Sequence, residues 1–82
     1  MTKLEQKLLE LGYEFYLIDN GRVIYIKDYH KIRLTIVMSE KIYGFINTYK
    51  IDRIDYQQDI DNLQQAFNQL QNDLEVLKKY EE

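Results

Sequence analysis

The chain has 82 residues, no cysteine and no proline, a net charge of −3, and 45% hydrophobic, 13% aromatic and 30% charged residues. That length holds a single domain, whose core removes about 60% of the unfolded chain's surface from water, and the apolar content is too high for a disordered chain. The absence of cysteine excludes disulfides, thiolate metal sites and thiol nucleophiles; with no apolar run of about 18 residues and no basic-plus-apolar leader, neither a membrane span nor a secretory signal is expected, and the expected location is the cytoplasm.

The first element in chain order is a short helix over residues 3–11. Thr2 and Glu5 stand at the spacing of a capping box, Leu4, Leu8 and Leu11 share one helical face, and Gly12 occupies the place of a left-handed terminator. A helix this short is marginal alone, so its leucines must dock on the rest of the domain. Residues 13–18 and 22–27 are rich in aromatic and β-branched side chains. Asn20-Gly21 between them is the signature of a two-residue type I′ hairpin, because both positions of that turn need positive φ. A regular hairpin sets Asp19 opposite Arg22, Ile18 opposite Val23, Tyr16 opposite Tyr25 and Glu14 opposite Lys27. One face then carries Phe15, Leu17, Ile24 and Ile26, and the other Tyr16, Ile18, Val23 and Tyr25.

Residues 31–38 alternate as a third strand, with Ile32, Leu34, Ile36 and Met38 on one side and Arg33, Thr35 and Val37 on the other. A three-residue loop of Asp28, Tyr29 and His30 aligns Ile26 with Ile32 and Ile24 with Leu34, which puts the apolar sets on one face. A fourth strand, residues 41–49, is apolar on both sides, so its register stays open; Gly44 inside it marks a bulge or a close approach by another group. Residues 50–55 either extend that strand or bridge to a second helix, for which Asp55 and Gln58 give the start. In the last third Tyr56, Ile60, Leu63, Phe67, Leu70, Leu74 and Leu77 recur at steps of four and three, the stripe of one long amphipathic helix.

That stripe packs either on the sheet or against the same helix of another chain. With Ile60, Phe67 and Leu74 as a positions, the e positions are Gln57, Gln64, Gln71 and Lys78 and the g positions Asp59, Ala66 and Asp73, a poor set for a coiled coil. The sheet also needs a cover that the first helix is too short to supply. The expected architecture is therefore α+β: a short N-terminal helix, a four-stranded antiparallel meander, and a long C-terminal helix on one sheet face, its end near Leu74, Val76 and Leu77 overhanging. A monomer and a homodimer are both compatible with it.

Charge is uneven. Residues 1–12 sum to zero, residues 13–54 carry seven basic and five acidic side chains (+2), and residues 55–82 two basic and seven acidic (−5). General nucleic-acid binding draws on clustered Lys and Arg, so this distribution disfavours it. The expected registers bring Tyr16, Tyr25 and Arg33 into one row on the second sheet face, flanked by Lys27. Exposed aromatics with an arginine suit anchoring a protein partner, or stacking on single-stranded bases as the alternative. The helix back is rich in amides, among them Gln64, Asn68 and Gln71, which hydrogen-bond adaptably and lose no charge on desolvation; they complete the set of candidate partner-binding residues.

Chemistry is otherwise thinly marked. His30 has no second histidine or cysteine to complete a ligand set, and Asp52, Asp55 and Asp59, at spacings that allow a hard-cation site, are explained by helix capping and dipole compensation. No serine is framed as a nucleophile, so an enzyme is not expected, nor a cofactor or metal.

The opening Met-Thr-Lys-Leu-Glu-Gln-Lys-Leu-Leu-Glu-Leu-Gly-Tyr and the later Ile60-Asp-Asn-Leu-Gln-Gln-Ala-Phe-Asn-Gln-Leu-Gln-Asn-Asp-Leu-Glu resemble small uncharacterised proteins of phages and prophages of low-GC Gram-positive bacteria. The resemblance implies a non-enzymatic accessory protein in the host cell. Such a protein binds a host or phage protein, in some cases to block CRISPR nucleases or other defences. Self-assembly into a structural protein is a further alternative.

Overall fold

Local chemistry sets the first corner of the molecule. In the computed structural model, which describes residues 2–29, 31–48 and 57–80, helix α1 spans Lys3–Glu10. The Thr2 hydroxyl accepts from the Glu5 amide at 3.1 Å and the Glu5 carboxylate returns to Thr2, a complete capping box. At the other end Gly12, at φ 96°, donates to Leu9 O and Tyr13 donates to Leu8 O, the two bonds of a Schellman motif. That turn swings Tyr13 inward, where it is 1% exposed beside the fully buried Leu8.

Four antiparallel strands follow in sheet order β1-β2-β3-β4: β1 Glu14–Asp19, β2 Arg22–Tyr29, β3 Ile32–Met38 and β4 Ile42–Asn47. Helix α2, Gln57–Lys78, then crosses one face over β3 and β4, with α1 beside it. The expected α-β-β-β-β-α order and the two-layer packing are those of the structure. Asn20 and Gly21 take φ values of 53° and 78°, as a type I′ turn requires, and the pairs Asp19↔Arg22 and Ile18↔Val23 form as expected.

Leu17 also faces Ile24 in the same regular register, and beyond it the pairing departs. A bulge at Tyr16 makes Phe15 face Tyr25 and Glu14 face Ile26, in place of the expected Tyr16–Tyr25 and Glu14–Lys27 pairs. The link to β3 also differs, because Tyr29 pairs with Ile32 and Lys27 with Leu34, so two residues connect the strands where three were expected. Both shifts change parity. Val23, Tyr25, Lys27 and Tyr29 join Ile32, Leu34, Ile36 and Met38 on the helix-covered inner face, while Leu17, Ile24 and Ile26 turn outward, opposite to the expected assignment.

The β4 register, which alternation left open, sets Gly44 opposite Ile36 and Phe45 opposite Thr35. Gly44 marks a close approach rather than a bulge: a Cβ there would lie 2.9 Å from Thr35 O and 3.0 Å from Leu70 Cδ1. The helix meets the sheet through Ala66, Leu70, Asp73 and Leu77, all buried, with Leu63 and Leu74 packed alongside. The seam therefore runs along the d and g positions. Ile60 and Phe67, expected inside it, are 48% and 49% exposed, and Leu77, expected to overhang, is fully buried.

One charged side chain on this seam needs compensation, and three neighbours supply it. Asp73, 2% exposed, accepts at Oδ2 from Tyr13 Oη (2.8 Å) and Lys27 Nζ (2.9 Å) and at Oδ1 from Gln69 Nε2 (3.0 Å). The Lys27 ammonium also donates to Leu11 O at 2.9 Å and lies 4.6 Å from the centre of the Tyr13 ring. Burial, with the Asp73 carboxylate accepting from it, holds the Tyr13 hydroxyl protonated well above its ordinary 10.0. The network ties the α1–β1 corner, β2 and α2 to one another. No buried side-chain polar atom among the described residues lacks a partner.

Candidate functional site

The face of the sheet turned away from α2 consists of two mainly apolar rows between two polar ones. Pairing aligns Leu17, Ile24, Val37 and Tyr43 across the four strands and, next to them, Glu14, Ile26, Thr35 and Phe45. The bulge adds Tyr16 beside this second row, with the Arg33 guanidinium 5.5 Å from its ring centre. One end is closed by Asp19 and Arg22, 3.7 Å apart, and the other by Asp28 and Arg33, whose Oδ1 and Nε are 2.9 Å apart. Arg22 also donates to the Tyr43 hydroxyl at 3.3 Å.

A solvated antiparallel face ordinarily places polar residues at its outward positions; here both central rows are apolar apart from Thr35 and, on the edge strand, Glu14. Exposure follows a profile across the face. Thr35 and Val37 are 4% and 3% exposed in the middle, whereas Tyr16 (50%), Tyr43 (41%), Phe45 (43%) and Leu17 (37%) stand out on the two outer strands. A large aromatic and aliphatic surface with a polar, ion-paired fringe is the composition of a protein contact.

The expected site residues divide between the faces. Tyr16 and Arg33 do meet on the outer face. Tyr25 does not: it points inward, 6% exposed, stacked edge-on against Phe15 at 6.0 Å and 85° between the ring planes. Burial, and secondarily the nearby Glu5 charge, raises its hydroxyl above the ordinary tyrosine value. Lys27 is likewise inside, held by Asp73. Gln64, Asn68 and Gln71 are exposed on α2, and Gln64 donates to Asn68 at 3.4 Å. Two other amides of that helix, also exposed, are engaged within the chain: Gln65 accepts from the Tyr29 hydroxyl and Gln69 donates to Asp73.

Sequence reasoning missed Leu17, Ile24 and Ile26, assigned inward, and Tyr43 and Phe45, whose strand had no fixed register. The single alanine of the chain, Ala66, beside Leu70 and facing a sheet that carries Gly44, was the available signal for where the helix sits closest. A groove of about 420 Å³ lined by Ile46, Thr48, Ile60, Leu63, Gln64 and Phe67 runs between β4 and α2. His30, Asp52 and Asp55 lie outside the described residues; among those described, no three His, Asp or Glu side chains are placed to share a metal ion, and no helix is long and apolar enough to cross a membrane. Comparison of the chain with protein-family models, curated proteins and solved structures finds no match in any of the three.

Proposed function

We propose that this chain is a small, non-enzymatic accessory protein that acts by contact with another polypeptide, through the outer face of its sheet. The observation that carries the reading is the pair of mainly apolar rows between Asp19–Arg22 and Asp28–Arg33, interrupted by Glu14 on the edge strand, with Tyr16, Tyr43 and Phe45 raised above Thr35 and Val37. Tyrosine and arginine are favoured anchor residues in protein interfaces, and the rigid strands present them at little entropic cost. The same observation favours protein over single-stranded nucleic acid. Both arginines of the two central strands already have a carboxylate partner, and Lys27 is turned inside, which reduces what this face offers to a phosphate backbone.

The test compares association by the full chain and by Tyr16→Ala/Phe45→Ala, two half-exposed positions whose truncation leaves the core intact. Affinity capture and sedimentation, read together, should show an association present in the parent chain and weakened at least ~10-fold in the variant. Associations of undiminished strength in the variant would remove the sheet face from the reading.

A further inference from the structure

We infer that the polypeptide meeting the outer face is a second copy of this chain, two sheets packing face to face about a two-fold axis with their helices outward. The inference rests on the contact reading above and supplies its partner. Its first support is the exposure profile. Because every sheet twists, two sheets packed with strands about 30° apart come closest at their centre and diverge at the corners. A face that matches its own copy therefore needs low-standing side chains in the middle and projecting ones at its margins. Thr35 and Val37 on β3 are buried and Ile24 and Ile26 on β2 half-buried in the middle, while Tyr16 on β1 and Tyr43 and Phe45 on β4 stand out at the margins. A lone amphipathic helix from another protein would fill the valley but leave no role for large aromatics on both sides of it.

Charge is the second support. The two end rows of the face each hold an ion-paired acid and base, and Glu14 stands at the end of its row on the edge strand β1, away from the middle where two copies come closest. Asp28 on β2 and Arg33 on β3 are directly paired neighbours. A two-fold axis about 15° from the strand direction and passing between β2 and β3 exchanges these strands. It carries Asp28 of one protomer onto Arg33 of the other and the reverse, so each ion pair gains a mate across the interface. Size is the third. Four strands and the six-residue span between the end rows cover about 20 by 20 Å, which with corrugation buries on the order of 1,000 Å² over two protomers, the lower end of specific interfaces. The dimer is accordingly a weak one, dissociating in the micromolar range or above.

Sedimentation equilibrium of the full chain from ~10 µM to ~1 mM reads the proposal directly, with far-UV circular dichroism confirming that each variant is folded. A monomer–dimer equilibrium is expected, and Phe45→Glu should weaken it ~100-fold, since symmetry introduces the carboxylate twice, each time opposite Glu14 of the other protomer. Asp28→Arg and Arg33→Asp chains should each be monomeric alone, because like charges then face each other, and dimerise when mixed one to one. A parent chain that stays monomeric at ~1 mM, a dimer indifferent to Phe45→Glu, or a mixture that remains monomeric overturns the inference. A monomer whose captured protein is lost on Phe45→Glu overturns it while leaving the contact reading in place; a dimer indifferent to Phe45→Glu, with every capture retained, ends both.

Discussion

The two faces of one sheet solve opposite problems. The inner face is covered by α2 and α1, yet it is the face that holds a charged cluster, with Asp73, Lys27 and Tyr13 meeting between the helix and the strands. The outer face has no cover among the described residues, and its two central rows are apolar apart from Thr35 and, on the edge strand, Glu14. The buried charge lies where the chain supplies its own partners. The difference teaches that the polar network serves this domain's assembly, whereas the described part of the domain makes no such use of the apolar rows.

The largest effect should come from breaking the inner cluster. Asp73→Ala leaves the Lys27 ammonium, with a side chain only 18% exposed, facing an apolar gap, and the Tyr13 hydroxyl without its acceptor. Losing one partner of a buried pair costs about 3–5 kcal/mol, a large part of the total for a domain of this size. Urea unfolding should show the midpoint fall steeply, or the chain unfolded outright. Replacing the whole set, Tyr13→Phe with Lys27→Met and Asp73→Leu, should recover most of the loss, because apolar side chains then fill the same space. A triple variant no more stable than Asp73→Ala would mean the network has a structural role that packing cannot replace.

Next in size is a contrast between neighbours on β4 that point to opposite faces. Gly44→Ala places a methyl against Thr35 O and Leu70 Cδ1, and since the carbonyl belongs to the sheet backbone, relief must come from shifting α2, at a cost of about 1–3 kcal/mol. Phe45→Ser, one residue on and turned outward, should cost under about 1 kcal/mol in dilute solution, where any dimer is dissociated. If the two substitutions cost the same by chemical denaturation, the outer face is contributing to the monomer's own core and the contrast between faces collapses.

How much of this was legible in the sequence depended on whether the deciding chemistry was local. Thr2 with Glu5, Gly12, and Asn20-Gly21 act within a few residues, and the caps and the turn formed where those residues stand. The alternation of Ile32, Leu34, Ile36 and Met38 also identified the inner side of β3. By contrast Phe15-Tyr16-Leu17-Ile18 and Val23-Ile24-Tyr25-Ile26 are unbroken apolar runs, so either parity yields two apolar faces and periodicity cannot choose. The choice was made by Lys27 reaching Asp73, 46 residues away, an ion pair that sends a lysine inward. Helix α2 turned for the same reason. Its larger apolar side chains suggest a seam through Ile60 and Phe67, but the close approach at Gly44 and the carboxylate at Asp73 rotate it onto Ala66, Leu70 and Leu77.

The smallest effect is a pH dependence that belongs to the inner face. Tyr13 and Tyr25 both have folded-state values above the ordinary tyrosine value, Tyr13 through burial and the Asp73 carboxylate, Tyr25 through burial and then Glu5. Below about pH 10 these hydroxyls are protonated in folded and unfolded chains alike, so stability does not change on their account. Above it the unfolded chain releases the protons while the folded chain keeps them. The unfolded state then binds fewer protons, and stability must fall as pH rises, by at most about 1.4 kcal/mol per pH unit for each such tyrosine. Urea midpoints followed from pH 9 to 11 should therefore decline, and Tyr13→Phe should flatten the decline, whatever it does to the midpoint at pH 9. A slope unchanged in Tyr13→Phe and in Tyr25→Phe would place its origin outside the inner face. The alkaline sensitivity would then no longer separate the face the chain completes by itself from the one it leaves open.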